Sequence, residues 1–251
     1  MSTPHTTGTI RVVRAADRHH WRSAWLDSWQ SFPATGNFDL TAGAHGMLLV
    51  HNDDLVDAGE GFDTHQHNDA EIVTWVLDGE LTHRDSTGLT GTLRPGVVQS
   101  MTAGRGISHS EVNGSAYSSR SPLRVVQMWL APERTGLDPR YAEADFTEEL
   151  DSGELVTVAS GRAEHASSKA VPIANPYAAL HVARMRPQSS VIVPAAPYGH
   201  LYVARGSAAL PDGTSLAQGD AVRTTATDAI ELSTADGAEV LFWENYATYE
   251  D

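Results

Sequence analysis

The chain has 251 residues, no cysteine, and 17 basic against 32 acidic side chains, for a formal net charge of −15. The missing thiols exclude disulfide scaffolds, thiolate metal sites and cysteine nucleophiles, and an acidic chain without a basic run argues against direct contact with nucleic acid. Hydrophobic residues at 41% and charged residues at 20% allow a packed core, and 12 histidines make imidazole chemistry the first to look for.

Residues 1–9 are small and polar, with no basic segment leading into an apolar one. No run approaches the ~18 apolar residues of a membrane span, so a soluble, cytoplasmic protein is expected. His19 and His20 lie among Arg18 and Arg22 and read as solvated. Trp25, Trp29, Phe32 and Phe38 follow; they could wall a pocket, but core packing is the simpler reading. Trp25 and Trp29, four apart, would suit one face of a short helix or turn. His45, His51 and His165 have no ligand-like spacing.

The segment Gly59 to Glu71 carries the sharpest signal. His65 and His67 are two apart, so an extended strand points both imidazoles to one face. Glu71 to Leu81 reads as an alternating strand ending near the Asp78-Gly79 turn, and His83, just beyond, reads as a surface residue among charged neighbours. After the Pro95-Gly96 turn comes a Gly-rich stretch in which His109 and Glu111 repeat the two-residue spacing. Two such strands facing one another would bring three imidazoles and a carboxylate to one point. That set suits one divalent first-row ion (iron, manganese, nickel, copper or zinc) with positions left open for chemistry. Glu71 shares the parity of His67, so spacing alone permits either Glu71 or Glu111 as the carboxylate.

Leu123 to Leu130 is a further strand. Pro132 to Glu154 reads as a linker with a short helix starting near Pro139. Strands continue at Val191–Pro194, Leu201–Ala204, Ile230–Ser233 and Val240–Phe242, between turns at Asp212-Gly213, Gly219-Asp220 and Asp236-Gly237. The halves echo one another: Val76-Leu77-Asp78-Gly79 before Leu93-Arg94-Pro95-Gly96 resembles Val203-Ala204-Arg205-Gly206 before Leu216-Ala217-Gln218-Gly219. An all-β chain of two similar barrels is expected: residues 1–133 with the metal site, a linker at 134–150, and residues 151–251. His181 and His200 lack a His-x-His partner, so the second barrel is expected to be metal-free.

Gly59-x5-His65-x-His67-x3-Glu71 resembles the first cupin motif, and Gly106-x2-His109-x3-Asn113 the end of the second. The run from His65 through Trp75-Val76-Leu77-Asp78-Gly79-Glu80 to His83-Arg84-Asp85-Ser86, with Met101 to Glu111, resembles the pirin family. Ala24 to Trp29, Gln127-Met128-Trp129 and Pro139-Arg140-Tyr141 are similar to its bacterial quercetin 2,3-dioxygenase branch. The resemblance is dense from Trp25 to Tyr141 and thin afterwards. It implies a bicupin of two double-stranded β-helix barrels, monomeric, whose first barrel holds one metal, commonly Fe(II), on His65, His67, His109 and Glu111. Glu71 then becomes a supporting group. It also implies O2-dependent opening of a quercetin-like flavonol, with Glu111 as the base for the substrate hydroxyl. Two other functions fit the same motifs. One is a metal- or redox-sensing regulator that binds a protein partner. The other is a different cupin reaction on a small polar acid. Gln30-Ser31-Phe32-Pro33-Ala34-Thr35-Gly36 departs from the branch, and if it frames the site entrance the substrate need not be a flavonol.

Overall fold

The computed structural model describes residues 8–37 and 39–249, and Phe38 lies outside the described residues. The expected all-β architecture is what forms, as two barrels packed side by side. No helix among the described residues is long and apolar enough to cross a membrane.

In the first barrel one sheet runs, in spatial order, through Arg140–Asp145, Val97–Thr102, Glu71–Asp78, Leu123–Leu130, Leu48–Val56, Leu26–Gln30 and His19–Arg22. The sheet facing it orders Gly61–His67, Ile107–Asn113, Leu81–Asp85 and Thr90–Leu93. Gly79, at φ +81°, makes the reversal between Glu71–Asp78 and Leu81–Asp85, a backbone conformation that a β-carbon would strain. In the second barrel the strands expected from sequence occur as Ser189–Val193, Ala196–Ala209, Ile230–Thr234 and Ala238–Asn245.

The strand Glu71–Asp78 does not alternate between core and solvent; all but its last residue is buried. Val73, Trp75 and Leu77 enter the large core between the barrels, while Val76 joins the apolar floor of the first barrel with Val56, Leu81, Leu93 and Val125. Both faces are covered, one by the barrel's own interior and one by its neighbour. The contact between barrels is also polar: Trp75 Nε1 donates to Glu239 Oε1 at 2.8 Å, and Arg205 pairs with Asp78 at 2.7 Å.

The helix expected from Pro139 is not there. Arg140–Asp145 is a strand, paired antiparallel with Val97–Thr102. The proline's fixed φ serves an extended entry, and the available sheet edge outcompetes local helix formation. Among the described residues α-helix is confined to one turn, Thr147–Leu150, whose first amide donates to Asp145 Oδ1 at 2.9 Å. Strand pairing crosses the expected bounds of 1–133, 134–150 and 151–251. Thr9–Val13 pairs with Ala221–Thr227 in the second barrel, whereas the linker strand Arg140–Asp145 completes the first.

Trp25 and Trp29 sit at and in the strand Leu26–Gln30, not on a helix. The divergent segment after Trp29 folds around Gln30, whose Oε1 accepts the amides of Ala34 and Thr35 at 2.8 and 3.1 Å. Phe32 from that segment is buried in the seam between barrels under the Arg223 guanidinium.

Candidate metal centre

Strand Gly61–His67 lies antiparallel to Ile107–Asn113 with His65 opposite His109, and a bulge after His109 places Glu111 opposite Phe62. The close approach there depends on Gly61: a β-carbon would fall 2.3 Å from the Glu111 carbonyl oxygen. Along Ile107–Asn113 every second residue is buried, so Ile107, His109, Glu111 and Asn113 all point into the barrel.

Ligand atoms of His65, His67 and His109 lie within 4.8 Å of one another. His65 Nε2 is 3.1 Å from His109 Nε2. His65 Nδ1 donates to the Asp63 carbonyl at 2.7 Å, which leaves its Nε2 as a lone pair. His109 Nδ1 is 3.4 Å from His83 Nδ1, and His83 Nε2 faces Asp85 Oδ2 at 3.5 Å. With the His83 proton on the Asp85 side, His109 donates from Nδ1 and its Nε2 is also a lone pair. Two lone pairs that close repel unless a cation lies between them. His67 Nε2 is buried with no hydrogen-bond partner. Burial, then the neighbouring His109 and His65, push His67 down to about 4, and burial likewise lowers His109 to about 4 despite Glu111. At neutral pH His67 and His109 are therefore uncharged, the form a metal requires, and the residues fit a first-row divalent ion.

Glu111 lies one step deeper, in a second grouping with His109 and His83. Its Oε2 accepts from Gln127 Nε2 at 2.6 Å, and Gln127 Oε1 accepts from Trp129 Nε1 at 3.0 Å. Burial would raise this carboxyl, but His83, His109 and Gln127 together hold it below its ordinary value. Its Oε1 has no hydrogen-bond partner. Glu71 belongs to neither grouping: its Oε2 accepts from Thr102 Oγ1 at 2.8 Å and from the Ala174 amide at 2.7 Å, tying the barrels together.

His83 is the main correction. It is fully buried, opposite Glu111 on the neighbouring strand, and not a surface residue. The signal was its parity with Leu81 and Asp85, whose side chains are buried too. Sequence reasoning also missed Gln127 as the carboxylate's support and Asp54, a 3% exposed residue of Leu48–Val56 whose carboxyl burial raises to about 7. Trp25 and Phe62, packed edge to face, border a cavity of about 350 Å³ that reaches His65. In the second barrel, Glu164, His165 and Glu244 form another acidic–imidazole group, and Arg162 pairs with both carboxylates there.

The Pirin family model matches residues 10–130. Over 245 residues, 98% of each chain, the sequence is 45% identical to the "Putative quercetin 2,3-dioxygenase" of Mycobacterium tuberculosis. It is 42% identical to the quercetin 2,3-dioxygenase of Escherichia coli over 137 residues, 55% of this chain and 58% of that one. Among solved structures, the bacterial pirin YhhW of Escherichia coli in complex with nickel(II) superposes with a TM-score of 0.84 at 29% identity, covering 96% of this chain and all of that one.

Proposed function

Since the chain belongs to the pirin family, we propose that it is a mononuclear metal-dependent dioxygenase whose substrate is a quercetin-like flavonol or a related enolisable aromatic. The observation that carries this reading is the convergence of three imidazoles, two with Nε2 atoms 3.1 Å apart, beside a buried carboxylate oxygen that accepts no hydrogen bond. His65, His67, His109 and Glu111 would hold the ion, and Fe(II) and nickel both suit this donor set. When bound, such an ion supplies Lewis-acid and redox chemistry toward an ionisable hydroxyl and O2.

The chain's own residues supply the rest. Glu111 is ionised at neutral pH, and its Oε1 is the acceptor for the substrate's hydroxyl proton. Gln127, itself held by Trp129, fixes the other oxygen, so the carboxylate presents one face to the reaction. The cavity bordered by Trp25 and Phe62 gives an aromatic ring an apolar wall beside His65. Its volume of about 350 Å³ sits at the small end of the ~300–1,000 Å³ usual for small-molecule pockets.

The test is anaerobic iron or nickel loading, then quercetin under air, with flavonol absorbance and released CO followed together. Wild type should turn over, while His67→Ala and Glu111→Ala should not. Tight metal binding without turnover of any flavonol would overturn the enzymatic reading and favour a metal-sensing protein.

A further inference from the structure

A larger cavity, of about 550 Å³, opens where the two barrels meet, and it shares no lining residue with the cavity beside His65. It forms because the chain changes barrels here. Thr9–Val13 pairs with the second barrel and His19–Arg22 with the first, so residues 14–18 bridge the seam. Ala15, Ala16, Trp29, Leu55 and Tyr202 give the cavity apolar and aromatic walls, and Arg18 lines it as well.

Arg18 is 5% exposed. Its guanidinium donates to Tyr202 Oη at 3.1 Å and to the Trp29 carbonyl at 2.5 Å, while its Nε is buried without a partner. It makes no ion pair among the described residues, and the carboxylates lining the cavity are engaged elsewhere. Asp53 holds Arg124 through both oxygens, at 2.9 and 2.6 Å, and also accepts from Tyr202. Asp27 pairs with His20 at 2.8 Å and with Arg22 at 3.5 Å. Behind Arg18, Asp54 is buried but forms no ion pair with it, and the other polar groups of the seam there are imidazoles. His51 and His200 are fully buried, 4.8 Å apart, and all four of their ring nitrogens lack partners. Burial, then Arg18, push His51 well below its ordinary value, which keeps it neutral beside the guanidinium. A buried cation without a counter-charge is costly, and an anion in the cavity would supply the missing partner.

We propose that this cavity is a second ligand site, distinct from the imidazole cluster, that takes a small aromatic carboxylate with its anionic head on Arg18 and its ring among Trp29, Leu55 and Tyr202. The carboxylate accepts from a guanidinium whose other bonds are fixed by the fold, so the site is preorganised for a single negative charge. The apolar walls favour a flat ring over a bare inorganic anion.

Isothermal titration of the metal-loaded protein with benzoate, benzamide and inorganic phosphate tests this. Benzoate should bind saturably at one per chain, with benzamide and phosphate each weaker by about tenfold or more. Arg18→Gln should weaken benzoate by a similar factor. Leu55→Glu sets a repelling charge on an exposed wall residue without touching the core; it should do the same while circular dichroism and urea unfolding stay unchanged. His67→Ala should retain the benzoate site. Failure of benzoate to bind would overturn the proposal, as would equal binding of benzamide or phosphate. So would a benzoate signal lost in His67→Ala but kept in Leu55→Glu, which would place the anion at the imidazole cluster.

Discussion

Replacing Asp54 by Asn tests whether the interior of the first barrel stores a carboxyl proton near neutral pH. Asp54 is 3% exposed, and burial, with Asp53 and Glu111 nearby, raises it from 3.8 to about 7. Between those values the folded protein binds a proton that the unfolded chain does not. The stability this contributes is complete below about pH 4 and lost as pH rises through about 7. Integrated at 1.36 kcal/mol per pKa unit, the whole effect is about 4 kcal/mol, of which about 3 kcal/mol falls between pH 5 and pH 8. Glu71, raised by burial to about 7, acts in the same direction. His67 and His109, lowered to about 4, act in the opposite one, because their contribution is present above pH 6.5 and lost as pH falls toward 4. The wild-type profile mixes these slopes, but the difference between wild type and Asp54→Asn cancels all that is common. Urea unfolding of the metal-free proteins, followed by tryptophan fluorescence, should show the variant gaining about 3 kcal/mol on wild type from pH 5 to pH 8. Any constant cost of seating an amide at this position drops out of that comparison. A difference that does not change with pH would refute the reasoning, since Asp54 would then titrate alike in folded and unfolded chains.

Glu71→Gln should keep metal near one ion per chain by elemental analysis after purification, and Glu111→Gln should not; the reverse pattern would make Glu71 the carboxylate ligand. His83→Ala removes the acceptor for His109 Nδ1 and should lower metal affinity by about 10–100-fold in a chelator competition. Unchanged affinity would show that His83 does not orient His109. Trp75→Phe leaves the buried Glu239 Oε1 without its indole donor and should cost about 1–3 kcal/mol in urea unfolding. No loss would mean that the hydrogen bond between the barrels adds nothing to stability.

The imidazole cluster was legible because its grammar is local. His65 and His67, like His109 and Glu111, share a face by strand parity alone, and the structure points each pair into the barrel. His83 obeys the same grammar but was misplaced, since its side depends on where the strand resumes after Gly79. Resumption at Leu81 puts Leu81 on the apolar floor and carries His83 to Glu111. The Pro139 segment failed for the opposite reason. A proline before a polar stretch is a fair helix start in isolation, but the open edge of Val97–Thr102 offered a full ladder of hydrogen bonds to Arg140–Asp145.

Parity could not show the seam, because it says which residues share a face and not whether that face meets water. Glu71–Asp78 is the clearest instance: Val73, Trp75 and Leu77 form one face and Ile72, Thr74 and Val76 the other, and both are buried once the second barrel packs on. The same closure buries His51 from one barrel against His200 from the other, and lays Arg18 over the ring of Tyr202, 184 positions away. No spacing rule links residues at such separations. What links them is the crossing of residues 14–18 between the sheets, which brings a charged strand connection over the seam and leaves one guanidinium buried there with no ion pair among the described residues. Arg18, His51 and His200 are therefore groups whose environment is set wholly by tertiary closure, and each keeps a buried nitrogen without a hydrogen-bond partner.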